Sequence, residues 1–390
     1  MMPWVLVAGD VTPLGGMDAA NHALARHLAQ CGTELHLVTH RVSADLQALP
    51  SVVTHNVWRP MGRHALGNPF LARSGRRVWQ RLRARGAHAV VNGGNCRVPA
   101  VNWVHYLHAA HAPVVASTRE GGIAFGHRRW LKTWLVHHQD MAAERRALQD
   151  ARLVICNSRR TARDVSDRVG VDPERVRVVY YGTDASRFGQ VSEGERELAR
   201  RVLGLGQTRP LVGFVGALGD RRKGFDTVFA AWARLCRRSG WDADLVVIGR
   251  GAELDRWRAR AQANGLARRM AFLGFRRDVP ALLAGLDAMV HPARYEPYGL
   301  SVHEALCRGI PALVSASAGV AERYPRELSD LLIQNPEDVE ELVERLMDWR
   351  VNAAHYQVRV ARLASMLRSR SWDAMSRDIV TLVEQVELAA

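Results

Sequence analysis

Short, almost wholly apolar runs alternate with segments of helical spacing from one end of this chain to the other. That alternation restricts the fold more than any other feature. In the first half the runs are residues 4–8, 35–39, 52–57, 89–91, 101–107, 153–156 and 176–180. In the second half they are 211–215, 245–248, 271–273, 288–291 and 312–315. Strands of this length that are apolar on both faces belong to parallel sheets covered by helices on both sides. Between them the apolar period is helical: Met17, Ala20, Leu24, Leu28 and Cys31 fall on one helix face, which Gly32 ends. Repeated strand–helix units predict doubly wound α/β domains, and 390 residues predict two of them. The boundary is placed after Phe188, where a polar stretch from Gly189 to Gly194 precedes a charged helix over 195–203. The first domain is thus 1–188.

Composition excludes several classes. At 47% hydrophobic residues the chain is too apolar to be disordered. No apolar run approaches the ~18 residues that span a bilayer. The start, Met1-Met2-Pro3-Trp4-Val5-Leu6, lacks a positive leader region and reads as a buried strand. The five cysteines are far apart, odd in number and without a Cys-x-x-Cys pair, which predicts a reducing cytoplasm, no disulfide framework and no zinc site. The net charge is +15, and of 54 basic side chains only Lys132 and Lys223 are lysines. Residues 1–188 carry 25 basic and 13 acidic side chains, residues 189–390 carry 29 and 26. From Leu46 to Arg119 there are ten arginines and no acid.

One segment combines several chemical cues: His291-Pro292-Ala293-Arg294-Tyr295-Glu296-Pro297-Tyr298-Gly299-Leu300-Ser301-Val302-His303-Glu304. A strand ends, a loop carries Glu296, and Gly299 precedes a helix carrying Glu304. The helix start leaves N–H groups free on about Gly299 to Val302, an anion site by geometry and dipole. Glu296 falls at the carboxyl end of a strand, where open α/β sheets bind ligands. Glu304 is placed to bond a hydroxylated ligand. The competing reading is an ordinary helix start with acidic residues nearby.

A second segment, Gly216-Ala217-Leu218-Gly219-Asp220-Arg221-Arg222-Lys223-Gly224, follows another buried strand. Cations converging after a glycine loop suit a diphosphate: arginine clamps oxygens bidentately and lysine acts as a point charge. A solvated charge run is the alternative. Gly15-Gly16, between the first strand and first helix, lets backbone approach a phosphate closely or is a plain strand–helix turn; no G-x-G-x-x-G is present. Gly249-Arg250-Gly251 is a weaker signal of the same kind.

Together these motifs resemble the retaining glycosyltransferases of family 4, which have the GT-B fold. The likeness includes Asn157-Ser158, Tyr181-Gly182-Thr183-Asp184, Val247-Ile248-Gly249-Arg250-Gly251, Phe272-Leu273-Gly274-Phe275 and the tail Ser371-Trp372-Asp373. It implies two Rossmann-like domains facing a central cleft, with a donor-binding domain over 189–370 and a C-terminal helix over 371–390 that packs on the first domain. It also implies roles. Glu296 contacts the donor sugar and Glu304 the ribose. Arg222 and Lys223 hold the diphosphate with backbone near Gly16, Gly216, Gly299, Leu300 and Ser301. Phe275 and Arg276 lie by the base. A first-domain histidine stands beside the reacting centre, and position at the strand end favours His108 over His105. Departures from the family pattern are Ala217, Tyr181, Asn92-Gly93-Gly94-Asn95 and Ala318-Gly319-Val320-Ala321-Glu322.

The implied reaction moves a sugar from a UDP- or GDP-linked donor to an acceptor hydroxyl, with retention, without metal and without a further cofactor. The first domain holds the hydroxyl-bearing acceptor, and its positive charge leaves open an anionic or a lipid-linked one. Residues 71–85 read as a basic amphipathic helix with Leu71, Val78 and Leu82 inward and six arginines around the rest. It meets anionic lipid at the inner face of the membrane, binds an acidic acceptor, or is merely solvated. Two other functions compete: a GT-B epimerase acting on the donor alone, and a polyanion-binding protein using the basic first half. The second leaves the paired glutamates unexplained, and no nucleic-acid partner is expected.

Overall fold

The computed structural model describes residues 2–111, 127–204, 208–219 and 221–388, with backbone alone at 127–133 and 387–388. Asp220 of the cation loop lies outside the described residues. The chain forms two compact units, Met1–Gly182 with Trp372–Ala390, and Thr183–Ser371.

The first unit is built on seven parallel strands: β1 (Trp4–Val7), β2 (Leu35–Thr39), β3 (Val52–Asn56), β4 (His88–Val91), β5 (Val101–Val104), β6 (Leu153–Cys156) and β7 (Val176–Val178). Their order is β3-β2-β1-β4-β5-β6-β7. The central strands are buried throughout, which is why their sequences are apolar without alternation. The helices that matter below are α1 (Gly16–Gln30), α2 (His64–Leu82) and α3 (His127–Asp150). Ala20, Leu24 and Leu28 of α1 are buried as the spacing predicts, whereas Met17 and Cys31 at its two ends are exposed. Asp10–Val11 and Arg41–Val42 add a short parallel pair that sequence pattern did not reveal.

The second unit has six parallel strands: β8 (Leu211–Val215), β9 (Asp244–Ile248), β10 (Met270–Gly274), β11 (Ala288–His291), β12 (Ala312–Ser315) and β13 (Leu332–Ile333). Their order is β10-β9-β8-β11-β12-β13. Two residues of β13 were too few to read as a strand. The unit's helices include α4 (Glu193–Leu203), α5 (Phe225–Leu235) and α6 (Leu300–Cys307). Ser192 caps α4 in a reciprocal box with Glu195.

The division falls at Gly182/Thr183 rather than after Phe188. The reason is packing: Phe188 lies in the second unit's core, and the Arg187 carbonyl accepts a 2.8 Å hydrogen bond from Arg308 of that unit. The final helix, α7 (Trp372–Leu388), belongs to the first unit and lies against α1. Met375, Ile379 and Val383 are fully buried there, and Asp373 sits 3.5 Å from His27. Truncating one such side chain removes its transfer energy and leaves a cavity. Ile379→Ala should therefore lower stability by about 2–4 kcal/mol in chemical denaturation.

Candidate active site

Both sheets wind outward from a first strand and then resume on its other side, so each has a switch point where helices diverge and loops at the carboxyl ends leave room for a ligand. In the second unit the switch lies between β8 and β11, which pair at Val212–Ala288 and Gly213–Met289. The loop after β8 carries Gly216 and the cations, and the loop after β11 carries Glu296. Topology therefore brings together the two segments that the sequence singles out.

Backbone contact fixes these loops. Gly216 N–H donates to the Ile248 carbonyl at 3.0 Å, and Leu218 N–H to the Arg250 carbonyl at 3.0 Å. Gly224, in the left-handed region at φ +72°, lies so near the loop after β11 that a Cβ would stand 1.9 Å from the Pro292 carbonyl oxygen. Only glycine permits that approach. It seats the turn Arg221–Lys223 directly on the Glu296 loop.

Glu296 is buried and ion-paired with Lys223. The same carboxylate oxygen accepts a 2.9 Å hydrogen bond from His291 Nε2. Burial pushes the Glu296 carboxyl up, but the Lys223 charge and the His291 hydrogen bond outweigh it and hold the group well below the usual carboxylate range. Burial pushes the His291 pKa down, so this ring is a neutral donor. Arg222, from the same turn as Lys223, reaches toward the Tyr295 carbonyl at 3.5 Å. The other cation, Arg221, is occupied by Asp226 at 3.0 Å.

Arg294 went unassigned in the sequence and is central in the structure. Its guanidinium clamps Asp226 through two hydrogen bonds of 2.8 and 2.9 Å, pairs with Glu337 at 2.7 Å and donates to the Arg221 carbonyl. Its backbone N–H donates to the Arg222 carbonyl at 2.8 Å. One side chain thus ties the Glu296 loop, the cation turn and the start of α5 together. His291 was likewise missed, because a histidine ending a buried strand gives no signal of its partner.

Gly299 caps α6 at φ +106°, with Glu296 Cγ 3.2 Å from where a Cβ would lie. Val302 N–H is already bonded to the Gly299 carbonyl at 3.1 Å, so the helix start offers fewer donors than expected; Leu300 and Ser301, at the first two positions of α6, precede any carbonyl of the helix itself. Glu304 lies one turn in, and burial raises its carboxyl to about 8, with Arg187 partly opposing. His303 beside it is sealed between Tyr298, at 2.8 Å, and Thr183, with its pKa lowered to about 3 by burial. Phe275 is exposed after β10, with the Arg250 guanidinium 4.8 Å from its ring centre. Arg276 is taken up by Asp278 in a two-point ion pair.

In the first unit Gly16 opens α1 and is exposed. The two histidines near the end of β5 differ sharply. His105 is buried, hydrogen-bonded to Tyr181 at 2.5 Å, and its pKa is lowered to about 3 by burial. His108 is partly exposed and held twice by the buried Glu144 of α3: its backbone N–H at 2.9 Å and ring Nδ1 at 3.1 Å. Burial lowers the His108 pKa, but Glu144 and Asp140 outweigh it and raise the group above its ordinary value.

Two Rossmann-like units, the second with an ionised glutamate seated on a basic turn at its switch point, define a GT-B framework. Family models agree over most of the chain: the model described as Glycosyltransferase Family 4 matches residues 14–187, and that described as Glycosyl transferases group 1 matches 195–360. The chain belongs to this glycosyltransferase family. It is 29% identical to the D-inositol 3-phosphate glycosyltransferase of Salinispora tropica, over 94% of this chain and 80% of that one. It is 32% identical to the 2-deoxystreptamine N-acetyl-D-glucosaminyltransferase of Streptomyces fradiae, over 60% and 56%. Among solved structures it superposes on WaaG, a glycosyltransferase involved in lipopolysaccharide biosynthesis, with TM-score 0.76 at 19% identity, covering 97% of this chain and 99% of that one. It superposes on Anabaena HepE in complex with UDP-glucose with TM-score 0.72 at 17% identity, covering 99% and 100%. These superpositions show the fold. The epimerase and polyanion-binding alternatives find no support in the family.

Glu304 supplies a pH test. Folded, it keeps its proton up to about 8; unfolded, it releases it near 4.5. Folding then takes up a proton between those values, so the group makes stability fall as pH rises from 4.5 to 8. Glu304→Gln has no such proton. Melting temperatures of the two proteins should diverge across this window, with the variant gaining on the wild type as pH rises.

Proposed function

We propose that this enzyme transfers a sugar with retention from a nucleoside-diphosphate donor to an acceptor hydroxyl, without metal. The observation that carries the reading is Glu296, buried and ionised at the switch point of the second unit, against Lys223 and beside Arg222. In this reading Glu296 faces the donor sugar and Glu304 the ribose. Phe275 and Arg276 border the base. The N–H groups of Leu300 and Ser301, with the glycine loop at Gly216, line the diphosphate.

The chemistry follows from charge. The bond between the anomeric carbon and the diphosphate oxygen breaks while the acceptor oxygen bonds to the same carbon on the same face. The acceptor proton passes to the departing phosphate oxygen. Negative charge grows on that phosphate, so preorganised cations and N–H dipoles stabilise the transition state more than the bound donor. Lys223, now paired with Glu296, exchanges part of that contact for the phosphate. His108, held by Glu144, stands on the acceptor side. The donor class is supported by the UDP-glucose complex of the Anabaena protein, and an anionic acceptor by the inositol 3-phosphate relative and the cations of residues 1–188. Among the described residues no helix is long and apolar enough to cross a membrane. We place the enzyme in the cytoplasm, with the basic segment 71–85 as an anion-facing surface at the inner membrane.

Transfer from a panel of UDP-, GDP-, ADP- and dTDP-sugars, followed by mass spectrometry of the products, tests the reading. Lys223→Ala should fold and lose about 10²–10³ in rate, the usual effect of removing one anion-stabilising donor. Glu296→Ala should also fold and lose transfer. Near-normal turnover by either variant would sink the assignment.

A further inference from the structure

At the carboxyl end of the first sheet, α3 presents His137, Asp140 and Glu144 at spacings of three and four, so they share one helix face. All three stand beside His108, just past the end of β5. The His137 ring lies 6.1 Å from the His108 ring, the Asp140 carboxylate 3.9 Å from its Nε2, and Glu144 3.1 Å from its Nδ1. Glu144 is buried and has both oxygens bonded to His108. The other polar atoms are left over. Among the described residues neither the half-buried Asp140 carboxylate nor His108 Nε2 has a hydrogen-bond partner. His137 is buried with its Nε2 unbonded.

The charge here runs against that of the rest of the unit. Residues 1–188 carry 25 basic and 13 acidic side chains, yet among the described residues His108 is the one cation that acts on Asp140. Burial raises the Asp140 carboxyl, and the His108 charge opposes that rise. Burial lowers the His137 pKa, and the His108 and His138 charges lower it further, so this ring is neutral. Two carboxylates around one imidazolium make a place that repels a phosphate. With Nδ1–H given to Glu144, the protonated His108 ring has one donor left, Nε2–H, beside a carboxylate that only accepts. At 3.9 Å these two groups do not bond each other, but both reach a single oxygen set about 2.8 Å from each. An oxygen that accepts one hydrogen bond and donates another is a hydroxyl.

We propose that His108 and Asp140 clamp one hydroxyl of a polyhydroxylated ring, the acceptor, an inference that rests on the transfer reading. The hydroxyl oxygen accepts from His108 Nε2–H, and its proton is donated to Asp140. Glu144 is a positioning residue: it holds the His108 ring and keeps a proton on Nδ1. Both bonds to the ligand are charge-assisted, so a ring lacking that hydroxyl leaves two charged groups unmatched and is rejected. A phosphate carried by the acceptor lies elsewhere on the first unit, away from Asp140. Asp140 is thereby a specificity-determining residue that its sequence neighbourhood gives no reason to single out.

Titration of the full chain with myo-inositol, D-glucose and myo-inositol 3-phosphate, followed through the imidazole resonances of His108, tests this. At least one of the two neutral rings should move His108 saturably. Asp140→Ala should weaken that binding about tenfold to hundredfold, and Asp140→Asn, which keeps an accepting oxygen, should restore part of it. Both variants should keep the wild-type melting temperature and its nucleotide-induced shift. Burial lowers the His108 pKa, but Glu144 and Asp140 outweigh it and set the value above the ordinary one; His137 and Tyr106 complete the groups around the ring. Affinity for the neutral ring should therefore fall as pH rises past that value, when Nε2 loses its proton and both clamping groups become acceptors. The proposal is overturned by a His108 that neither neutral ring moves, by equal affinity in Asp140→Ala, or by a response confined to the 3-phosphate that Asp140→Ala strengthens. Diphosphate binding with a silent His108 overturns the clamp alone. Saturable ring binding without any diphosphate binding supports the clamp and contradicts the transfer reading instead.

Discussion

A carboxylate buried beside the end of a parallel sheet is the constraint on which the second unit's site depends. Glu296 ionised in that position is expensive in desolvation, by several kcal/mol for an unpaired charge. It is tolerable because Lys223 and His291 share one of its oxygens. The requirement then propagates. Lys223 must arrive from another strand's loop, so that loop must press on the backbone after β11. Gly224 allows the approach, with no room for a Cβ against the Pro292 carbonyl. Arg294 locks it through Asp226 and the Arg221 carbonyl. The pairing also holds Lys223 largely out of solvent beside the carboxyl end of β11.

The first unit meets a similar problem differently. Glu144 is buried in α3, and its two oxygens are satisfied by one residue, through the backbone N–H and ring of His108. The turn at Gly93 and Gly94 sits against that helix closely enough that a Cβ at Gly94 would lie 3.2 Å from the Glu144 backbone nitrogen. Asn102 holds the turn in place through both backbone groups of Gly93. The Asn92-Gly93-Gly94-Asn95 departure from the family pattern therefore has a structural consequence, a tight seat for α3.

Strands buried on both faces were legible because burial writes an unbroken apolar run, and all twelve runs read from sequence are strands in the structure. Their ends were less legible. Residues 105–107 are apolar enough to extend β5, yet the chain leaves the sheet at Val104 to deliver His105 and His108 to different environments. β13 and the Asp10–Val11 pair are too short to leave a periodic trace. In the site, Glu296, Arg222 and Lys223 stood out by residue type and spacing. Arg294 and His291 did not, because their importance lies in partners 68 residues before and 5 residues after them in sequence. The basic helix was legible as a charge pattern. The ring pair in front of it was not, since Trp58 lies before the periodic segment and only folding sets it beside Phe70.

Calorimetric titration of UDP, GDP, ADP and dTDP into the wild type and into Lys223→Met tests the central claim most directly, because it reads the diphosphate site without requiring an acceptor. The account predicts that at least one of these diphosphates binds the wild type. It predicts that the same one binds the folded variant about tenfold to hundredfold more weakly, the loss expected for one charge-assisted contact. Equal affinity in the two proteins, or no binding of any diphosphate to the wild type, would contradict it.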